Sequence, residues 1–252
     1  MLKSKTLPHR TPPGTRLYAI GDIHGRMDLL ERLLGMIAAD ARASTAPRRV
    51  LVFLGDYIDR GPGSRQVIET LMAGPPDHTD GAGFDWAGFE WVCLKGNHEQ
   101  AMLAFLDDPS AGQSWLSYGG SDCVASYAGQ PLSPSASPEH LHKLLTRHLP
   151  EEHRRFLTGL PTSHREGDFF FAHAGIRPGV ALDRQTSDDL LWIREPFLSS
   201  TQDHGVLVVH GHTRGPEPDW RANRLNLDST AFRSGRLTAL AAEGTEAKLL
   251  QT

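Results

Sequence analysis

The chain has 252 residues, 39% hydrophobic and 22% charged, and 26 Lys and Arg against 30 Asp and Glu leave a formal net charge of −4. That balance excludes disordered and fibrous classes, removes any global positive field that would gather nucleic acid, and leaves material for a large core. Two cysteines, Cys93 and Cys123, are too few for a disulfide scaffold or a thiolate zinc site.

Residues 1–14, with Pro8, Pro12 and Pro13, predict a loose, flexible arm. The start is basic but has no apolar block of the signal-peptide kind. Arg16–Ile20 reads as a strand, and Met27–Ala41 as a helix with Leu30, Leu33, Leu34 and Ile37 on one face. Val50–Leu54 predicts a second strand, Ser64–Ala73 a second helix, and the Gly, Pro and Asp of Gly74–Gly88 a surface insertion. Phe89–Leu94 is a third predicted strand, in which Cys93 reads as a buried free thiol of a reducing compartment. His98–Asp108 begins a helix, and residues 110–160 are irregular and helical, with a Pro/Ser-rich break at Gly129–Glu139.

From there the pattern is mainly β: Phe169–His173, Val206–His210, Arg224–Asp228 and Gly235–Leu240, with a hairpin turn at Gly167-Asp168. The longest uncharged apolar runs are far short of a membrane span. These features predict one α/β domain over residues 1–252, cytoplasmic, with no membrane or nucleic-acid partner.

The chemistry gathers where apolar runs stop. Val50–Leu54 runs into Gly55, then Asp56, Asp59 and Arg60. Four other runs end alike, in Gly21–Gly25 (GDIHG), Lys95–Glu99 (KGNHE), His173–Arg177 (HAGIR) and His210–Arg214 (HGHTR). Glycine permits the tight turn, and sites in α/β sheets assemble beyond the carboxyl ends of strands. Asp22 and His24, two apart, share a side of an extended chain and can bind one ion. Carboxylate, imidazole and amide ligands without thiolate suit manganese, iron or zinc and disfavour a structural zinc. The supply exceeds the needs of one ion, and Asp56 is placed to bridge two.

These five motifs, in this order, resemble the phosphoprotein phosphatase branch of the calcineurin-like metallophosphoesterases, over roughly residues 16–240. The resemblance implies a four-layer αββα fold, a β-sandwich of two mixed sheets flanked by helices. It implies two divalent metal ions, manganese first and iron or zinc as alternatives. Asp22, His24 and Asp56 would hold one ion, and Asp56, Asn97, His173 and His212 the other. Arg60 and Arg194, with Asn97, would bind the phosphate, and His98 with Asp59 would form the acid dyad. One departure is His173–Gly175, HAG where eukaryotic members carry HGG.

The expected activity is hydrolysis of phosphoserine- and phosphothreonine-type monoesters by direct attack of a metal-bridging hydroxide, without a phosphoenzyme. The substrate partner would be a phosphoprotein or a small phosphorylated molecule, and a monomer is the favoured state. Dinucleoside polyphosphate hydrolysis is the nearest alternative. A nuclease or cyclic phosphodiesterase fits the negative charge less well, and a catalytically silent binding protein has no need of the ligand set. His210 shares a face with His212 and reads as a neighbour of the ligands or a core residue. His140, His142, His148 and His153 read as solvated, and Trp86, Trp91, Trp115 and Tyr118 as packing residues, with Trp115–Gly120 also able to line an entrance.

Overall fold

The structure, a computed structural model, describes residues 4–75, 86, 88–133 and 135–252. In chain order they form β1 (Lys5–Thr6), β2 (Thr15–Ile20), α1 (Met27–Ala41), β3 (Arg48–Phe53), α2 (Ser64–Ala73), β4 (Phe89–Cys93) and α3 (Asn97–Asp107). A tightly wound stretch, residues 113–120, leads to α4 (Ser121–Ala128), α5 (Pro138–His148) and α6 (Glu151–Gly159). The chain continues through β5 (Ser163–Glu166), β6 (Phe169–Ala172), α7 (Ser187–Trp192), β7 (Leu207–His210), β8 (Asp219–Trp220) and β9 (Arg224–Asn226). It ends with α8 (Ala231–Ser234), β10 (Thr238–Glu243) and β11 (Glu246–Gln251).

The strands form two mixed sheets. One has the order β1-β11-β10-β2-β3-β4, with β2, β3 and β4 parallel; the other has the order β5-β6-β7-β9-β8, with β6, β7 and β9 parallel. Alternation along the strands sets the layers. Leu17, Ala19, Val50 and Val52 of the first sheet meet Phe169, Phe171, Leu207 and Val209 of the second in a shared core. Their neighbours Tyr18, Ile20, Leu51 and Phe53 point the other way, onto Leu30, Leu33 and Ile37 of α1 and Val67 and Ile68 of α2. Phe170, Ala172 and Val208 pack outward against Leu190, Ile193 and Phe197. Strands covered on both faces have no polar side, so they appear in the sequence as unbroken apolar blocks.

Several expectations change. The described part of the predicted arm is tied down: β1 pairs with β11, the Leu7 amide donates to Thr245 O at 2.8 Å, and Leu7 and Thr11 are buried. This short strand covers an edge that β11 would otherwise expose. His153, expected in solvent, is buried with Nδ1 3.0 Å from the Tyr127 hydroxyl, and Cys93 is only half-buried. Most of the expected insertion, residues 76–85 and 87, lies outside the described residues; Trp86 is described, and packs on Phe89 and Trp91. The Gly167-Asp168 turn joins β5 to β6 as the sequence predicts. No described helix is long and apolar enough to cross a membrane.

Candidate active site and metal centre

The parallel strands deliver their loops to one edge. β2 is followed by Asp22 and His24, β3 by Asp56, Asp59 and Arg60, and β4 by Asn97 and His98 at the start of α3. From the second sheet β6 supplies His173, β7 leads to His212, and β9 leads to Asp228. Local conformation there is unusual. His24, Asp56, Asp59, Arg60 and His212 have φ of 46°, 52°, 74°, 67° and 63°, in the left-handed region that side chains avoid. Each such residue costs roughly 1–2 kcal/mol, so strain is concentrated in the residues that the motifs single out.

Backbone hydrogen bonds hold these loops together. The His24 amide donates to Asp56 O at 2.8 Å and the Gly25 amide to Tyr57 O at 2.8 Å. Glu99 acts as a fastener: its buried carboxylate accepts from the amides of Asp56, Tyr57 and Gly96, each at 2.8 Å. Burial and the nearby Asp56 push its pKa up to about 7. Two glycines are sterically required. A Cβ on Gly55, at φ +97°, would lie 2.5 Å from the Gly96 nitrogen, and one on Gly211 would lie 1.9 Å from an Asp22 carboxylate oxygen.

The imidazoles are oriented from behind. His24 Nδ1 and His173 Nδ1 lie 2.9 Å from the carbonyls of Ile58 and Leu54, which can only accept, so both Nε2 atoms present lone pairs to the centre. Burial holds both rings neutral, with His173 pushed down to about 4 and His24 well below its ordinary value. Burial likewise pushes His212 down to about 2.

These lone pairs face oxygen. His173 Nε2 is 2.8 Å from Asn97 Oδ1 and 3.3 Å from Asp56 Oδ1, and His24 Nε2 is 3.5 Å from Asp56 Oδ2. His212 Nδ1 lies 2.8 Å from the same Asn97 oxygen. At His173 an acceptor is thus turned on acceptors in a buried space, a conflict that a cation relieves, and with the neighbouring imidazoles and carboxylates the donor set fits divalent metal ions.

Asp56 lies between two clusters. The ligand atoms of His24, Asp56 and His98 are within 4.8 Å of one another, as are those of Asp56, His173 and His212. Its Oδ2 faces the first cluster and its Oδ1 the second. Asp22 stands outside both triads; its carboxylate accepts from the His212 amide at 3.1 Å. Burial, then Asp228 and Asp56, raise the Asp22 pKa well above the carboxylate range. Asp228, itself 2% exposed, is a site carboxylate that no motif in the sequence marked.

Beside these candidate ligand clusters the two residues of the predicted dyad are in contact. His98 Nδ1 contacts Asp59 Oδ2, and the same oxygen accepts from Trp115 Nε1 at 2.7 Å. Trp115, expected to pack or to line an entrance, therefore also holds the dyad. Arg60 reaches His24 Nε2 through Nη1 and donates from Nη2 to His98 Nε2 at 2.9 Å. A cleft of about 300 Å³ opens above, with Asp56, Asn97, His98 and His212 at its floor. Its walls are Trp115, Tyr118, Trp192, Arg60, Arg194 and Arg214. Arg194 therefore lines the cleft, and among the described residues it forms no ion pair with Glu195. His210 turns its ring edge onto Phe197 at 5.0 Å and joins neither metal cluster.

Similarity to known proteins agrees with this geometry. Residues 15–239 match the calcineurin-like phosphoesterase family. Over 239 residues the chain is 26% identical to bis(5'-nucleosyl)-tetraphosphatase PrpE (asymmetrical) of Anoxybacillus flavithermus, covering 88% of each. Over 232 residues it is 31% identical to serine/threonine-protein phosphatase 2 of Escherichia coli, covering 88% of this chain and 90% of that one. Its fold is shared with a solved structure described as a candidate diadenosine tetraphosphatase, with a TM-score of 0.64, 20% identity, and coverage of 98% and 97%. With the match spanning both sheets and every motif at their common edge, this chain belongs to the calcineurin-like metallophosphoesterases.

Proposed function

We propose that the protein is a metal-dependent phosphomonoesterase that transfers the phosphoryl group of phosphoserine- and phosphothreonine-type esters to water. Asp22, His24 and Asp56 would hold one divalent ion and Asp56, Asn97, His173 and His212 a second, with manganese the expected metal and iron or zinc as alternatives. Bound there, the ions supply Lewis-acid polarisation of phosphoryl oxygens and activation of a water. Arg60 and Arg194 bind non-bridging oxygens through their planar guanidinium forks, with the Asn97 amide beside them. Asp59 accepts from His98 Nδ1 and fixes the ring, so that Nε2 faces the cleft. Once Arg60 turns from that nitrogen to a phosphoryl oxygen, the imidazolium form gives its Nε2 proton to the departing ester oxygen. The two free cysteines, Cys93 and Cys123, support a reducing, cytoplasmic setting.

The observation that carries this reading is the buried His98–Asp59 dyad at the cleft floor. An alkoxide leaves poorly without a proton, whereas a phenolate or a polyphosphate chain leaves unaided. The test is a panel assayed with added manganese: a phosphoserine peptide, p-nitrophenyl phosphate, diadenosine tetraphosphate and a phosphodiester. Turnover of the peptide at rates comparable to the aryl ester is expected. Turnover of diadenosine tetraphosphate alone would overturn the reading in favour of a second one, dinucleoside polyphosphate hydrolysis. Two features favour that second reading: the likeness to PrpE, and the aromatic rim, where Tyr118 is 63% and Trp192 45% exposed and each can stack on a base.

A further inference from the structure

Arg214 follows the GHT motif directly, and no role for it came from the motifs. Its guanidinium lies 5.9 Å from the centre of the Phe232 ring, and that of Arg60 lies 4.8 Å from the same centre. His24 meets the ring edge-on at 5.5 Å, which fixes Phe232 beside the first metal cluster. One phenyl ring thus positions two like charges next to each other. Among the described residues Arg214 has no carboxylate partner, whereas Arg221, Arg224 and Arg236, further along the same region, are each ion-paired. The nearby Asp228 forms no ion pair among the described residues and feels Arg60 and Arg214 only at longer range; its carboxylate accepts from the Thr230 amide at 2.8 Å. Although carboxylates of the site act on Arg60 from its other side, the like charge of Arg214 opposes it, and an anion between the two guanidiniums relieves that repulsion.

Arg214 also lines a second space. A shallow hollow of about 470 Å³ adjoins the cleft, with Arg214 on the shared side and Arg233, Thr230 and Ser234 on the others. Arg233 is likewise exposed and without an ion-pair partner among the described residues. We propose that Arg214 and Arg233 form a second anion subsite, continuous with the reaction cleft, that receives the phosphoryl group adjacent to the scissile one in a phosphoric anhydride chain. This rests on the dinucleoside polyphosphate reading and extends it: Arg60 and Arg194 take the reacting phosphoryl group, and Arg214 and Arg233 take the next in the chain.

The test compares anions that differ only in the second group. Methylenediphosphonate and orthophosphate are measured as competitive inhibitors of p-nitrophenyl phosphate hydrolysis by the metal-loaded enzyme. The same two affinities are measured by calorimetry, so that a protein lacking phosphatase activity still gives an answer. Arg214→Gln is expected to weaken methylenediphosphonate about 10- to 100-fold, the loss expected for a charge-assisted pair. Orthophosphate is expected to weaken much less. Arg233→Gln follows the same direction with a smaller loss, and Arg214→Lys recovers part of it. Equal weakening of both anions would make Arg214 part of the clamp on the reacting phosphoryl group and overturn the subsite. No weakening of methylenediphosphonate would overturn it as well. So would a loss confined to a phosphoserine peptide with acidic neighbours, which would assign the hollow to carboxylates.

Discussion

Two charged clusters sit at opposite ends of β2, and they are built on opposite principles. At its start, Arg16 and Tyr18 reach the Asp40 carboxylate of α1, Lys248 of β11 reaches the same group, and Arg16 also meets Glu243 of β10. Every charge there has a partner. Burial alone would raise the Asp40 pKa, but donors from Lys248, Arg16 and Tyr18 outweigh it and hold the carboxyl below its ordinary value. At the other end Asp22, Asp56, Asp59 and Asp228 are buried with lone-pair imidazoles, Arg60 and the more distant Arg214 give them no ion pair, and burial raises all four. In the balanced cluster, removing one partner leaves the others uncompensated, which is where its cost to the fold lies. The unbalanced one has the perturbed, buried charges that gather at functional sites.

The largest effect expected from breaking this contrast comes at Asp56. Asp56→Asn should lower the affinity of both metals, and more than Asp22→Asn does, because its two oxygens face different clusters. The metal-free variant should unfold at the same or a higher temperature than the wild type, since one uncompensated buried charge is gone. Metal analysis and thermal melts with and without chelator read both effects. Equal metal losses for the two variants would contradict the bridging role.

His98→Asn should come next, with metals retained and turnover of an alkyl phosphate falling about 10²–10⁴-fold, the usual contribution of a general acid. Hydrolysis of p-nitrophenyl phosphate should fall far less, and Asp59→Asn should show the same dependence on leaving group more weakly. Steady-state rates on both substrates decide it: equal slowing would make the ring structural.

At the balanced end the sign reverses. Asp40→Asn should leave turnover intact and cost about 1–3 kcal/mol of stability, less than a fully buried pair would because the network reaches solvent. Its pH dependence follows from the lowered pKa. The unfolded chain takes up a proton at an ordinary carboxylate pKa of about 3.9, while the folded chain resists until lower pH. The contribution of Asp40 is therefore complete above that value and is lost as pH falls through the folded one. Urea unfolding of wild type and variant from neutral pH downward should show the gap closing only in acid.

The smallest effect is at Thr230, a β-branched residue at φ 56° in the loop after β9. Thr230→Gly removes the clash and adds unfolded-state entropy, so a gain of about 0.5–1 kcal/mol is expected from the difference of those terms. A loss in the same unfolding assay would show that the threonine hydroxyl bond to Gly215 O, at 3.2 Å, matters more than the backbone.

The fold was legible because doubly covered strands leave apolar blocks, and α1 and α2 appear with the bounds their apolar spacing predicts. The site was legible where its residues follow those blocks immediately. What stayed hidden depends on distance along the chain. Trp115 meets Asp59 across 56 positions, and nothing near Trp115 announces it. Glu99 lay inside a recognised motif, yet its work of holding three amides has no local signature. β1 and β8, two residues each, are too short to carry a period, and the proline-rich start concealed the pairing of β1 with β11.

The parallel run of β2, β3 and β4 has an evolutionary consequence. Hydrogen-bonded neighbours in a sheet lie about 4.8 Å apart whatever their side chains, so loops at consecutive strand ends inherit a fixed ruler. Asp22, Asp56 and Asn97 follow within four residues of strand ends held by that ruler, which a change elsewhere cannot easily stretch. Apart from Arg60, the walls of the cleft come from other places: residues 113–120, the end of α7 and the residues just after it, and the stretch after His212. Most of the ligand residues and most of the cleft wall are thus carried by different segments, which meet at Arg60 and Trp115, and a lineage can exchange the rest of the wall while the ligand loops stay as they are.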